Sequence, residues 1–225
     1  MGTPAQASAY CKKEHDFDEF GTLPVVQQGK RTDWDRFRAY ILESSSFPTD
    51  RELFEHFPGL YARYRESIHE FIRLIRPVPK LVADGESPRP GWQSHLYELL
   101  RGEPHPREVT FVVSYEGNKG KSWFVRYMCT HHHDEVQSFC VGKRDDIAFS
   151  IDPRKSVFLF DVPRLCLQNF QYSILEMLKN RQVYSPKFHS KMKTLDTQPH
   201  VVVFTNEDPN MEAMSEDRYN IVDAD

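Results

Sequence analysis

The run Gly117-Asn-Lys-Gly-Lys-Ser122 holds the residue types that a bound polyphosphate needs. Glycines let successive backbone N–H groups curl around an anion, and a helix starting just beyond turns its positive end toward the same place. Gly117, Asn118, Lys119 and Gly120 would form the cradle, with Lys119 adding local charge. Lys121 would reach the β- and γ-phosphates of a nucleotide, and the Ser122 hydroxyl would ligate Mg²⁺. One position departs from the usual eight-residue pattern: its opening glycine is replaced by Tyr115. A lysine-rich turn after a strand is the ordinary alternative.

Three further residues suit the same chemistry. Asp161 ends the apolar run Val157-Phe-Leu-Phe160, where a carboxylate can hold Mg²⁺ beside a phosphate loop. Asn206 ends His200-Val-Val-Val-Phe204 and could orient an attacking water while sensing the γ-phosphate. Arg218 could act on a neighbour's nucleotide as an arginine finger. Each has a plain alternative: a turn aspartate, an Asx turn, a surface arginine. Their order and their places at strand ends favour a Mg²⁺- and ATP-dependent ATPase. Between Asp161 and Asn206, the segment 180–193 carries Arg181, Lys187, Lys191 and Lys193 with Tyr184 and Phe188 interleaved. Cations alternating with stacking rings suit a loop that grips a nucleic-acid strand; an ordinary basic hairpin is the competing account.

The elements that must position these residues are legible in outline. Val109-Thr-Phe-Val-Val113, Val157-Phe-Leu-Phe160 and His200-Val-Val-Val-Phe204 are continuous apolar runs separated by helical stretches. That pattern predicts a parallel sheet covered on both faces, and ligands in such sheets bind beyond the carboxyl ends of the strands. Helices are expected at Trp92–Leu100, through Trp123–Met128 and over Phe170–Leu178. Upstream, Trp34, Phe37, Ile41 and Leu42 share one helical face. Thr49-Asp-Arg-Glu52 is a capping box that starts a helix stopping before Pro58, and Leu60, Tyr61, Tyr64, Ile68, Phe71, Ile72 and Ile75 make the stripe of a longer one. The chain therefore divides into residues 1–30, a tail and linker; 31–76, a helical bundle; 77–90, a linker with four prolines and a glycine; and 91–225, an α/β domain.

Bulk properties narrow the class. Apolar residues at 39% and aromatics at 13% of 225 residues describe a folded chain. A net charge of −4 gives no global attraction to nucleic acid, so any polyanion site must be local. The four cysteines show no Cys-x-x-Cys pair and read as reduced thiols. His131-His-His133 fits no standard zinc spacing and reads as a solvated loop. Without a secretory signal or an apolar run of about 18 residues, the expectation is a soluble intracellular protein with no membrane partner.

The ordered set Gly117-Asn-Lys-Gly-Lys-Ser-Trp-Phe124, Phe158-Leu-Phe-Asp-Val-Pro-Arg164, Val201-Val-Val-Phe-Thr-Asn206 and Ser215-Glu-Asp-Arg-Tyr219 resembles the helicase half of the replication-associated (Rep) proteins of circular single-stranded DNA viruses. Gln28-Gly-Lys-Arg-Thr-Asp-Trp34 and Pro90-Gly-Trp-Gln93 are similar to segments of the same family. The resemblance implies an AAA+-like P-loop domain of helicase superfamily 3, assembled as a hexamer, working on single-stranded DNA in the host nucleus. It also implies a hairpin that projects into the ring's channel, with Lys187 the preferred DNA contact. In this family a rolling-circle nicking domain precedes the helicase, and Tyr10-Cys-Lys-Lys13 is similar to its last motif, which would make Tyr10 the nucleophile and place Lys13 nearby. The family's earlier nicking motifs are missing from the nine residues before Tyr10, so no nicking by this chain is expected. Asp161 is followed by Val162 where many such ATPases carry a second acid, which leaves the residue that activates water open. Two rivals stand beside this reading: an RNA-directed enzyme, because phosphate-gripping residues do not distinguish the sugars, and an inactive remnant that binds nucleic acid without catalysis.

Overall fold

The computed structural model describes residues 4–14, 18, 20–21, 32–44, 46–75, 79–164, 166–187 and 190–225. Phe188 and the first residues of the 28–34 segment lie outside that set. The chain forms two compact units, Met1–Pro77 and Val78–Asp225.

In the first unit, helix α1 (Pro4–Cys11) is followed by a short 3-10 turn, and a bundle is built from α2 (Thr32–Glu43), α3 (Asp50–His56) and α4 (Pro58–Ile75). The bundle closes on Phe37, Ile41, Leu53, Leu60 and Ile68, with Trp34, Tyr64 and Phe71 packed around them. Thr49 accepts from the Glu52 amide while Glu52 accepts from the Thr49 amide, the reciprocal cap expected at the start of α3. Leu42 departs from the expected stripe: it is 59% exposed. Ile41 already faces the core, and the adjacent position points roughly 100° away on a helix.

The second unit is an α/β fold with a five-stranded sheet. Its elements in chain order are α5 (Trp92–Arg101), β1 (Val109–Val113), α6 (Lys121–His131), β2 (Val136–Phe139), α7 (Arg144–Ser150), β3 (Val157–Asp161), α8 (Tyr172–Lys179), β4 (Gln182–Ser185), β5 (Lys191–Thr194), β6 (His200–Thr205) and β7 (Tyr219–Asp223). The sheet order is β2-β3-β6-β1-β7, and every adjacent pair is parallel. Side chains alternate between two cores. Phe111, Phe158, Phe160, Val201 and Val203 pack on the face covered by α7 and α8, through Ile147, Ile174, Leu175 and Leu178. Val112, Leu159, Val202 and Phe204 pack on the other face, through Leu96 and Leu100 of α5 and Phe124, Val125 and Met128 of α6. The result is three layers, with β1 and β6 buried along their whole length. Full burial on both faces explains why these strands read as unbroken apolar runs.

Residues 79–90, expected as linker, belong in part to this unit. Val82 is buried in the α5–α6 core, and the Leu81 amide donates to Thr130 Oγ1 at 3.2 Å. Within β1 the polar exception is Thr110, which pairs in register with Asn220 of β7 and accepts from its Nδ2 at 3.3 Å. β4 and β5 form a separate antiparallel hairpin in which Tyr184 lies opposite Met192.

Candidate nucleotide and nucleic-acid sites

The connection out of β1 runs through α6 toward β2, whereas the connection out of β6 crosses β1 to reach β7 at the opposite edge. A crevice therefore opens at the carboxyl ends of β1 and β6, where departing chains diverge. A pocket of about 430 Å³ lies there, lined by the 118–122 loop together with Asp161 and Asn206. Trp123, Arg126, Cys140, Val162 and Pro163 complete its wall.

The loop is shaped by a few positions. Asn118 (φ 66°) and Gly120 (φ 84°) are left-handed, a conformation that asparagine tolerates and glycine adopts freely. Gly120 is needed for space as well: a Cβ there would lie 2.5 Å from Gln93 Nε2. Gln93, buried on α5, donates from that nitrogen to the Gly120 carbonyl at 3.3 Å and accepts from the Arg89 amide at 2.9 Å. Helix α6 begins immediately after Gly120, so its first amides and positive end face the pocket.

Lys121 is the best-defined cation of the site. Its Nζ donates to the Ser114 carbonyl at 3.2 Å and to Asn206 Oδ1 at 2.9 Å, joining the ends of β1 and β6. Partial burial pushes its pKa below the ordinary lysine value; Arg164 adds to that, while Asp225 and Asp161 oppose it. Ser122 is exposed and Asp161 half-buried, both on the pocket wall, a hydroxyl and a carboxylate of the hard oxygen type that suits Mg²⁺. Lys119 also lines the pocket, but its Nζ is 3.0 Å from Glu116 Oε2, and this pairing raises its pKa.

The other expected residues are placed differently. Arg218 lies just before β7, at the opposite end of the sheet from the pocket, and is only 7% exposed. Its Nε is 3.4 Å from Glu176 Oε1, and its Nη1 has no partner among the described residues. A guanidinium offered to a neighbouring subunit has to reach the surface, and this one is turned inward. Tyr10 is 72% exposed on α1, with Lys13 Nζ 5.1 Å from its ring centre. In the hairpin, Arg181 donates to the carbonyls of Leu195 (2.7 Å) and Asp196 (2.9 Å), closing its base. Lys193 Nζ donates to the carbonyls of Phe149 and of Ile151 (2.8 Å), capping the end of α7. Lys187 forms an ion pair with Asp146 of α7. Lys191 is exposed, beside the exposed pair Tyr184 and Met192. No helix among the described residues is long and apolar enough to cross a membrane.

Sequence reading passed over several contributors. Ser114, Arg164 and Asp225 hold the start of the loop: the Ser114 hydroxyl lies 2.7 Å from the Glu116 carbonyl and 2.9 Å from Asp225 Oδ1, and Arg164 Nη2 donates to the Tyr115 carbonyl at 3.0 Å. Gln93 and Arg164 both stand in the quoted Rep-like segments, a signal that could have pointed to them.

No family model matches the chain. It is 34% identical over 133 residues to Para-Rep C1 of Faba bean necrotic yellows C11 alphasatellite, covering 58% of this chain and 46% of that protein. It is 27% identical over 223 residues to Para-Rep C2 of Subterranean clover stunt C2 alphasatellite, covering 98% of this chain and 72% of that protein. It is 29% identical over 227 residues to Para-Rep C1 of Milk vetch dwarf C1 alphasatellite, covering 98% and 74% respectively. The chain thus spans under half of the first relative and about three quarters of the other two. Among solved structures, NtrX from Brucella abortus in complex with ADP matches with a TM-score of 0.35 and 14% identity, over 72% of this chain and 41% of that one, a likeness too slight to carry an assignment. Over nearly its whole length, then, the chain is similar to proteins named Para-Rep from alphasatellites.

Proposed function

We propose that the second unit is a Mg²⁺- and ATP-dependent motor of the helicase type, serving rolling-circle replication of circular single-stranded DNA. The observation that carries this reading is the meeting of Lys121, Ser122, Asp161 and Asn206 around one pocket at the switch point of a parallel sheet. The amides of residues 118–122 and the Lys121 ammonium would hold the phosphates, and Ser122 with Asp161 would hold the metal. Bound Mg²⁺ would supply charge neutralisation at the transferred phosphoryl group. Lys121 would exchange its present acceptors for phosphate oxygens, freeing the Asn206 amide to position a water.

The hairpin supports the nucleic-acid half of the proposal. Tyr184 offers a stacking ring beside Met192 on the hairpin's exposed face, and Lys191, exposed at the start of β5, offers a cation. Lys187 would join them by leaving Asp146. The burial of Arg218 gives no support to a finger acting across a subunit boundary, so a hexamer does not enter the proposal.

The test is phosphate release by the purified chain with ATP and Mg²⁺, with and without single-stranded DNA, beside the Lys121→Ala variant. Turnover that single-stranded DNA stimulates and that the variant lacks is the expected result. Wild-type protein without turnover, or a variant as active as wild type, would end the reading. Parallel measurements with single-stranded RNA separate a DNA motor from an RNA-directed one.

A further inference from the structure

We propose that Tyr115, the residue standing where the phosphate loop usually opens with glycine, is a positioning residue that keeps the loop curled before a ligand arrives. The proposal rests on the nucleotide reading of the pocket. Two facts make tyrosine acceptable there. Its φ is not in the left-handed region, which in the described chain holds Asn118, Arg181 and four glycines, so its Cβ brings no backbone strain. The side chain is also 58% exposed, so the ring displaces nothing.

What tyrosine adds is a set of ties that glycine could not make in full. Its N–H donates to Asp225 Oδ2 at 3.1 Å, its carbonyl accepts from Arg164 Nη2 at 3.0 Å, and its hydroxyl donates to Asp208 Oδ1 at 2.7 Å. These partners follow β7, β3 and β6 respectively, so one residue is bound to three different strand ends. The hydroxyl tie has a particular consequence. Asp208 lies two residues beyond Asn206, in a turn fixed by Thr205 Oγ1, which accepts from the Glu207 amide at 3.1 Å. The loop is thereby anchored to the same β6 turn at both ends, through Tyr115–Asp208 at its start and Lys121–Asn206 at its close. Ordering a loop costs conformational entropy, and a loop ordered in advance does not subtract that cost from ligand affinity. Tyr115 therefore acts on nucleotide affinity through the loop's shape, without touching the nucleotide.

The experiment uses the full chain and four variants: Tyr115→Phe, Asp208→Ala, the double variant, and Tyr115→Gly, which restores the usual pattern. Two quantities are read: amide hydrogen exchange over residues 116–120 without nucleotide, and the dissociation constant and turnover with ATP and Mg²⁺. Tyr115→Phe and Asp208→Ala should each speed exchange and weaken ATP binding about three- to tenfold, the worth of one hydrogen bond, with kcat within about twofold of wild type. The double variant should be no worse than the poorer single one, because both remove the same contact. Tyr115→Gly should bind ATP more weakly than Tyr115→Phe, despite matching the common pattern better. Unchanged exchange in Tyr115→Phe, effects that multiply in the double variant, or tighter binding by Tyr115→Gly would each overturn the proposal. If exchange quickens but wild-type protein binds no ATP, the loop tie stands and the nucleotide reading falls.

Discussion

The phosphate loop and the β4–β5 hairpin both present lysines that look suited to grip phosphate, yet the fold treats them in opposite ways. In the loop, Lys121 is held by two neutral oxygens, a carbonyl and an amide, both of which a phosphate can outcompete. In the hairpin, Arg181 and Lys193 close structural gaps on backbone carbonyls, and Lys187 is neutralised by Asp146. A cation's worth to a ligand is set by what it must give up, and only its partners reveal that.

The comparison can be broken most decisively at Lys121. Lys121→Ala should lower ATP turnover by about 10²–10³-fold while leaving the thermal unfolding transition in place, because the lost group acts on developing charge. A fall in turnover that merely tracks a fall in melting temperature would erase the distinction from the structural cations. Next in size is the loop's geometry: Gly120→Ala forces a left-handed alanine into Gln93 and should destabilise the second unit by about 1–3 kcal/mol in chemical denaturation. No loss of stability would mean that the loop readily takes another shape.

The hairpin side is sharpened by Asp146→Ala, which releases Lys187. Single-stranded DNA binding should tighten by up to about fivefold, the range of an exposed ion pair, with a steeper dependence on salt. Unchanged affinity would assign Lys187 to structure alone. The smallest effect is expected from Lys191→Ala, already free to act: the slope of log affinity against log salt should drop by about 0.7, one phosphate contact on a single strand. A titration over several salt concentrations decides it.

Much of this arrangement was legible in the residues. β1, β3 and β6 announce themselves because strands buried on both faces need no polar residues, and the loop and Asp161 follow from where those runs end. β2 and β7 escaped notice. They are edge strands of four and five residues with half-exposed side chains, so Val-Gln-Ser-Phe and Tyr-Asn-Ile-Val-Asp carry too little apolar signal to stand out from loops. Arg218 was visible as a charge, but its burial, beside a Glu176 distant in sequence, was not. Val82 shows the same limit from the other side: a proline-rich stretch reads as linker until a core is there to receive one of its residues.

Thr110 carries a consequence of its own. β1 is greasy on both sides and lacks the in-and-out rhythm that ordinarily tells a neighbour how to line up, so its own pattern does little to fix the stagger of β7. The amide of Asn220 finds a hydroxyl in one alignment alone. That small polar latch picks the stagger that delivers Asp225 to the mouth of the loop.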